Sequence, residues 1–279
     1  MGEFVGTIGE ITVDTARAVL ISQGIPVDAN IDLVASPIVK YLVKRGFDKV
    51  IKDIVSRQLS EMQKARVNEV RDFAISTFYN LAVENGWEDH SSEGDAYTQS
   101  VAESIEDVFN KAVNESRRAK RILLGALLGS TMYYSNCSQP DMENFFYIST
   151  IIDRLTFRQL CLVSMIGNSF QEIKDNHNMC ITDRVAISEL NDLRSQGLWN
   201  PLFGHMVGAK DIEHPIPLDY IVPSQTTMDL KTAIIFPDEI KDDFKRVVDS
   251  LCLKPINPSE FPDGFLNGLH DAIKRNNQL

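Results

Sequence analysis

Between Phe47 and Asn85 the chain runs 39 residues without a single proline or glycine. Apolar side chains recur there at Phe47, Val50, Ile51, Ile54, Val55, Leu59, Met62, Val70, Phe73, Ala74, Phe78 and Leu81, mostly at gaps of three or four. That spacing places them along one side of an α-helix and is incompatible with strand alternation. One continuous helix would be ~58 Å long at 1.5 Å per residue, beyond what an ordinary globular domain spans. The section Gln63–Glu69 is polar nearly all round, so a break or a solvent-bridging stretch is expected there.

Helix follows helix on both sides. Ser36-Pro37 puts a capping residue before a first-turn proline, and IVKYLVKR then leads to a stop at Gly46. Val101, Ile105, Val108, Phe109, Ala112 and Val113 give a clean amphipathic helix after the loop-like WEDHSSEGDAYTQS. Arg117–Tyr134 is apolar on most of its circumference, which marks a helix in the centre of a bundle. Within it Gly125-x-x-x-Gly129 predicts a close approach of a neighbouring backbone. Ser138-x-x-Asp141 and Thr156-x-x-Gln159 open two further helices as capping boxes. At least six helices therefore precede residue 170, with no strand signal among them.

From Thr156 onward the pattern changes. RQLCLVSMIG and the short SFQEIKDN are followed by a helix over Thr182–Gln196, with Val185, Ile187, Leu190 and Leu193 on one side and a stop at Gly197-Leu198. HMVGA and PLDYIVP suit a pair of short strands among prolines and glycines. Helical spacing resumes at Leu230, Ala233 and Ile234, then after Pro237-Asp238 through Leu251, and weakly over Phe261–Asn277.

The order of Thr156-x-x-Gln159-Leu160 helix, short helix, Leu190-x-x-Leu193-x-x-x-Gly197-Leu198 and two strands resembles a winged-helix domain over Leu155–Phe236. Together with AKRILLGALLGSTM and DMENFFYISTIIDRLTFRQLCLVSMI, it is similar to uncharacterised bacterial cytoplasmic proteins that join a helical N-terminal part to a winged-helix-like tail. The residues that fit, Leu123, Leu124, Leu127, Leu128, Leu155, Gln159 and Leu160, are core or cap positions. The resemblance implies a fold and, at most, an accessory role in stress or phage defence. The expected architecture is mainly α: a helical bundle over 1–154, a winged-helix-like module with a small β-hairpin over 155–254, and a helical tail over 255–279.

Charge narrows the function classes. The chain has 28 Lys and Arg against 39 Asp and Glu, a net of −11, so a general nucleic-acid coat or a membrane-surface binder is disfavoured. Over Thr156–Lys254, ten Lys and Arg face fourteen Asp and Glu. The would-be recognition helix sets Arg184 and Arg194 against Asp183, Glu189 and Asp192, a net of −1. An acidic recognition helix repels phosphates, so protein contact is favoured over DNA for this module.

Chemical motifs are scarce. His90, His177, His205, His214 and His270 show neither H-x-x-x-H nor H-E-x-x-H spacing, and His205 with His214, flanking the expected wing, is the pair to follow. No Lys or Arg occurs between Arg71 and Lys111, while nine acids do, and Glu88–Asp95 does not reproduce a calcium-loop pattern. Arg117, Arg118, Lys120 and Arg121 form the matching basic cluster, expected as a salt-bridged helix end facing that acidic stretch. Lys40, Lys44, Arg45, Lys49 and Lys52 make a second basic run around Gly46. There is no G-x-S-x-G elbow and no phosphate loop, and Cys161 and Cys252 sit in apolar registers as expected core residues.

Four cysteines without C-x-x-C, an N-terminus without a secretory pattern, and an apolar run at Ile122–Tyr134 too short to span a bilayer predict a reduced cytoplasmic protein. The expectation is a non-enzymatic interaction or regulatory protein with a protein partner and no cofactor or metal. Its candidate contacts are Arg117, Arg118, Lys120, Arg121, Arg184, Arg194, His205 and His214. The helix pattern over Phe47–Asn85 permits a homodimer. The alternatives are a winged-helix DNA-binding regulator and a metal-dependent hydrolase or nuclease using carboxylates such as Asp89 and Asp95.

Overall fold

The computed structural model describes residues 47–85, 95–137, 142–168, 170, 179–202, 215–233, 238–261 and 263–276, together with residues 18 and 21. The expected helix after Ser36-Pro37, the Ser138-x-x-Asp141 cap, most of SFQEIKDN and the HMVGA run lie outside them. The described chain is mainly helical, with ten helices and two small antiparallel sheets. It clusters into two compact units: Met1–Arg154 with Ala233–Pro237, and Leu155–Thr232 with Asp238–Leu279.

In the first unit the long pattern resolves into two helices, α1 (Phe47–Val55) and α2 (Glu61–Asn85). The break falls at residues 56–60 and not in Gln63–Glu69. Gln58 adopts φ 55°, a left-handed conformation that ends a helix. Ser60 and Gln63 then close a capping box, with the Ser60 amide 3.0 Å from Gln63 Oε1 and the Gln63 amide 3.3 Å from Ser60 Oγ. The polar stretch stays helical because its side chains reach neighbouring helices, as Arg66 does in donating to the Val113 carbonyl at 3.0 Å.

Helices α3 (Asp95–Asn114), α4 (Arg118–Cys137) and α5 (Met142–Arg154) complete this unit. Helix α4 is its centre: Ile122, Leu123, Leu124, Leu127 and Leu128 are all buried. Each such side chain contributes roughly 2 kcal/mol on leaving water. Gly125 and Gly129 carry α4 onto α2, as the glycine spacing predicted. A Cβ at Gly125 would lie 2.7 Å from Phe73 Cβ and 2.8 Å from the Val70 oxygen. A Cβ at Gly129 would overlap the Ala74 oxygen and sit 2.9 Å from Thr77 Cβ. Sequence numbers rise together along both helices, so α2 and α4 run in the same direction and α3 returns between their ends. At one point α3 and α5 are tied by polar groups: Lys111, Asp107 and the buried Ser149 hydroxyl lie within 2.7 Å of one another.

The second unit uses short elements: α6 (Phe157–Gly167), β1 (Met179–Ile181), α7 (Arg184–Ser195), β2 (Trp199–Pro201), β3 (Ile216–Pro217), β4 (Ile221–Pro223), α8 (Gln225–Ala233), α9 (Lys241–Asp249), β5 (Leu253–Pro255) and α10 (Phe265–Asn276). The Thr156–Gln159 capping box at α6 forms as expected. Asp183 caps α7 by accepting from the Ala186 amide at 2.8 Å, so that helix starts two residues later than its apolar pattern suggested. At its end Gly197 takes φ 74°, and the Gly197 and Leu198 amides donate back to Arg194 and Leu193. This pair of bonds turns the chain directly into β2.

The strands differ from the sequence expectation. β1 lies between β3 and β5, pairing Cys180 with Pro217 and Ile181 with Leu253, while β2 pairs with β4 from Trp199–Pro223 to Pro201–Ile221. PLDYIVP is not one strand, because a 3₁₀ turn at Leu218–Tyr220 divides it. Each of β2, β3, β4 and β5 ends in a proline. The core gathers around Trp199, whose indole N–H donates to the Leu190 carbonyl at 2.7 Å and whose ring meets Tyr220 edge-on. Tyr220 in turn meets Phe265 of α10 at 5.5 Å, so the last helix packs on this core. Buried Thr227 donates to the Leu198 carbonyl and ties α8 to the end of α7. Cys161 is buried as expected, whereas Cys252 is exposed, at φ 49° between α9 and β5, and is no core residue.

Candidate functional site

Two places collect the side chains that the sequence nominated, one in each unit. The first is the turn between α3 and α4, with Arg117, Arg118, Lys120 and Arg121. Among the described residues their carboxylate partners are Glu69 and Glu115, which flank the acidic stretch after Arg71 and do not belong to it. Glu69 holds Arg118 at 2.8 Å through one oxygen and Arg121 at 2.6 Å through the other. Arg121 also donates to the Glu115 and Ser116 carbonyls. Lys120 is buried, bonded to Glu115 at 2.8 Å and to the Asp153 carbonyl of α5 at 2.7 Å. Glu115 additionally accepts from the Arg117 amide at 2.6 Å.

These contacts divide the cluster. Lys120 and Arg121 are spent inside the unit, where they brace the turn against α2 and α5. Arg117 and Arg118 remain at the surface, Arg118 with 60% of its side chain exposed and its guanidinium 6.0 Å over the Phe73 ring. The carboxylates respond oppositely to their settings. Burial pushes Glu115 up, but the hydrogen bonds from Lys120 and Arg117 and the charges of Lys120 and Arg121 outweigh it and hold the group below the usual range. At Asp72, burial and the charge of Glu69 prevail over the neighbouring Arg71, so its carboxyl is raised.

The second place is α7. Its N-cap Asp183 and its Glu189 both bind Arg158 of α6, at 2.7 and 2.6 Å, and the same guanidinium reaches Ser250 Oγ at 2.9 Å. One arginine thus ties α6 and α7 to the end of α9. This alters the electrostatics counted from the sequence, because two of the three acids of α7 are neutralised by a residue outside it. Arg194 lies over the Trp199 ring at 5.7 Å. The outward arc carries Arg184, Val185, Ser188, Asp192 and Ser195, all exposed. Arg184 and Asp192 balance, so the face is neutral, and Val185 is 58% exposed upon it.

His205 and His214 lie outside the described residues, as do Asp89 and the loop around it. Among the described residues no group of three or more His, Cys, Asp and Glu stands together to hold a metal ion. Of the described acids in the stretch after Arg71, Glu106 makes a surface pair with Arg57 at 2.7 Å, while Asp72 and Asp107 pair with Arg71 and Lys111 in part-buried settings. The Ser149, Lys111 and Asp107 triangle has the residue types of a nucleophile and base. Ser149 is fully buried, however, and its hydroxyl is bonded to Asp107 and the Phe146 carbonyl, so it has no open face to meet a substrate. The Cys161 thiol is pushed up to about 12 by burial and the charge of Asp243, so it is no thiolate nucleophile. No described helix is long and apolar enough to cross a membrane.

Sequence reasoning missed Glu69, Arg158 and Ser149. No local signal marks them, since their partners stand 25 to 92 residues away. Compared with known proteins, the chain matches no family model, no curated protein and no solved structure.

Proposed function

We propose that this chain is a non-enzymatic interaction or regulatory protein whose second unit is a winged-helix-like contact module reading a protein surface. The observation that carries this reading is the outward arc of α7: neutral, mixed polar and apolar, with Val185 exposed. A helix face that pairs one apolar residue with adaptable Ser and charged neighbours suits a protein partner, whereas duplex DNA calls for a basic face. The winged-helix element is supported by α7 turning through Gly197-Leu198 into β2 and by the antiparallel β2–β4 pair. A role alongside stress or defence systems follows only from the resemblance of the sequence.

One observation favours a second reading. Because Arg158 neutralises Asp183 and Glu189, α7 is less repulsive to phosphate than its composition implied, and a DNA-binding regulator is the runner-up. Fluorescence anisotropy with a labelled duplex at low salt separates the two. The protein-contact reading expects no saturable binding, and co-purification of a partner that is lost on Val185→Asp with the helical circular dichroism unchanged. Salt-sensitive duplex binding that weakens on Arg184→Ala would instead establish the DNA-binding reading.

A further inference from the structure

We propose that the α3–α4 corner of the first unit is a docking surface for an acidic protein segment carrying an apolar residue. Around this turn five cations, Arg66, Arg117, Arg118, Lys120 and Arg121, meet two carboxylates, Glu69 and Glu115. Arg71 with Asp72, and Asp153 with Arg154, border the corner as balanced pairs. Three positive charges are therefore uncompensated in a chain whose net charge is −11. The internal pairs orient the surplus: Glu69 fixes Arg118 from below and the Phe73 ring backs its guanidinium, so little side-chain freedom is lost when an anion binds.

A second observation selects a protein over a nucleic acid. Met62, 67% exposed, is more exposed than any other large apolar side chain described, and its sulfur lies 3.4 Å from the Arg66 guanidinium. Methionine and arginine are both enriched at protein interfaces, and here they stand side by side at the surface. Phe73 itself is only 4% exposed, so no ring is offered for stacking a base. The corner is independent of the α7 face, and either can fail without the other.

The probe is a short fluorescein-labelled peptide alternating Glu with Leu, alongside its all-Glu counterpart, titrated into the full chain. The Glu/Leu peptide is expected to bind, more weakly as salt rises. Arg117→Glu should weaken it about tenfold; among the described residues no side chain holds that guanidinium, so the variant is expected to retain its fold. Met62→Ala should weaken the Glu/Leu peptide about threefold and leave the all-Glu peptide unchanged, a coupling that a structural defect would not produce. Arg184→Ala and Val185→Asp should leave both titrations unchanged. Binding that is absent, or indifferent to Arg117→Glu, overturns the proposal. So does preferential binding of single-stranded DNA lost on the same reversal, or self-association in light scattering that Arg117→Glu abolishes, which would make the occupant a second copy.

Discussion

The two units are held together by different means. In the first, α2 and α4 touch through backbone and Cβ atoms at Gly125 and Gly129, over a length that leaves no room for adjustment. In the second, elements of nine to twelve residues and strands of two or three are tied at single polar points: Arg158, the Trp199 indole, the Asp183 cap and the Gly197 turn. Close helix packing distributes stability along a seam, whereas tie points concentrate it in a few side chains. Long helices can therefore be spoiled by adding an atom, and short ones by removing a charge.

That contrast can be broken most forcefully at Gly129. Gly129→Ala forces a methyl group into the Ala74 carbonyl and should cost about 3 kcal/mol, the upper part of the overpacking range. The buried Tyr79 and Tyr133 report on the first unit and Trp199 on the second, so fluorine NMR of protein carrying 3-fluorotyrosine and 5-fluorotryptophan follows both in urea. The Tyr79 and Tyr133 resonances should shift their midpoints down, and a loss confined to Trp199 would contradict the seam. Arg158→Ala comes next, at about 2 kcal/mol, because it leaves two half-buried carboxylates facing each other. Here the Trp199 midpoint should fall. An unchanged midpoint would mean that the guanidinium only decorates the surface.

Gly197→Ala sharpens the comparison between the two kinds of glycine. Nothing lies within 4 Å of a Cβ there, so the expected cost of about 1 kcal/mol comes from the positive φ alone. A cost equal to that of Gly129→Ala would erase the distinction between space and conformation. The smallest effects concern pH. Glu115 has a lowered carboxyl in the fold, so its contribution is present above the unfolded carboxylate range and lost as pH falls through the folded value. Glu115→Gln should destabilise at neutral pH and match the wild type in acid. Asp72 is raised, so its ionised form opposes folding and the opposition is relieved as pH falls. Asp72→Asn should accordingly stabilise at neutral pH, with the gain vanishing in acid, as urea midpoints across pH will report.

What was legible in the sequence is what is local in the chain. The Thr156–Gln159 box, the glycine spacing of α4 and the stop at Gly197 each depend on residues within one or two turns, and each occurs where the sequence puts it. Ser60-x-x-Gln63 was equally local, but an unbroken apolar spacing from Phe47 to Asn85 obscured it, because two helices in succession keep the same period as one. The candidate sites were half legible. Composition found Arg117, Arg118, Lys120 and Arg121, yet their division into braces and surface groups depends on Glu69, some fifty residues upstream. Net charge over α7 misled for the same reason, since Arg158 cancels part of it from another helix.

The prolines that end β2, β3, β4 and β5 have a consequence for the molecule in a crowded solution. A strand grows or recruits a neighbour only by offering successive amide hydrogens, and proline has none to offer. At Pro201, Pro217, Pro223 and Pro255 any ladder laid against these sheets stops after a residue or two. Sheets this short are poor templates for runaway cross-chain pairing, and the strands of the second unit offer a growing fibril little to extend.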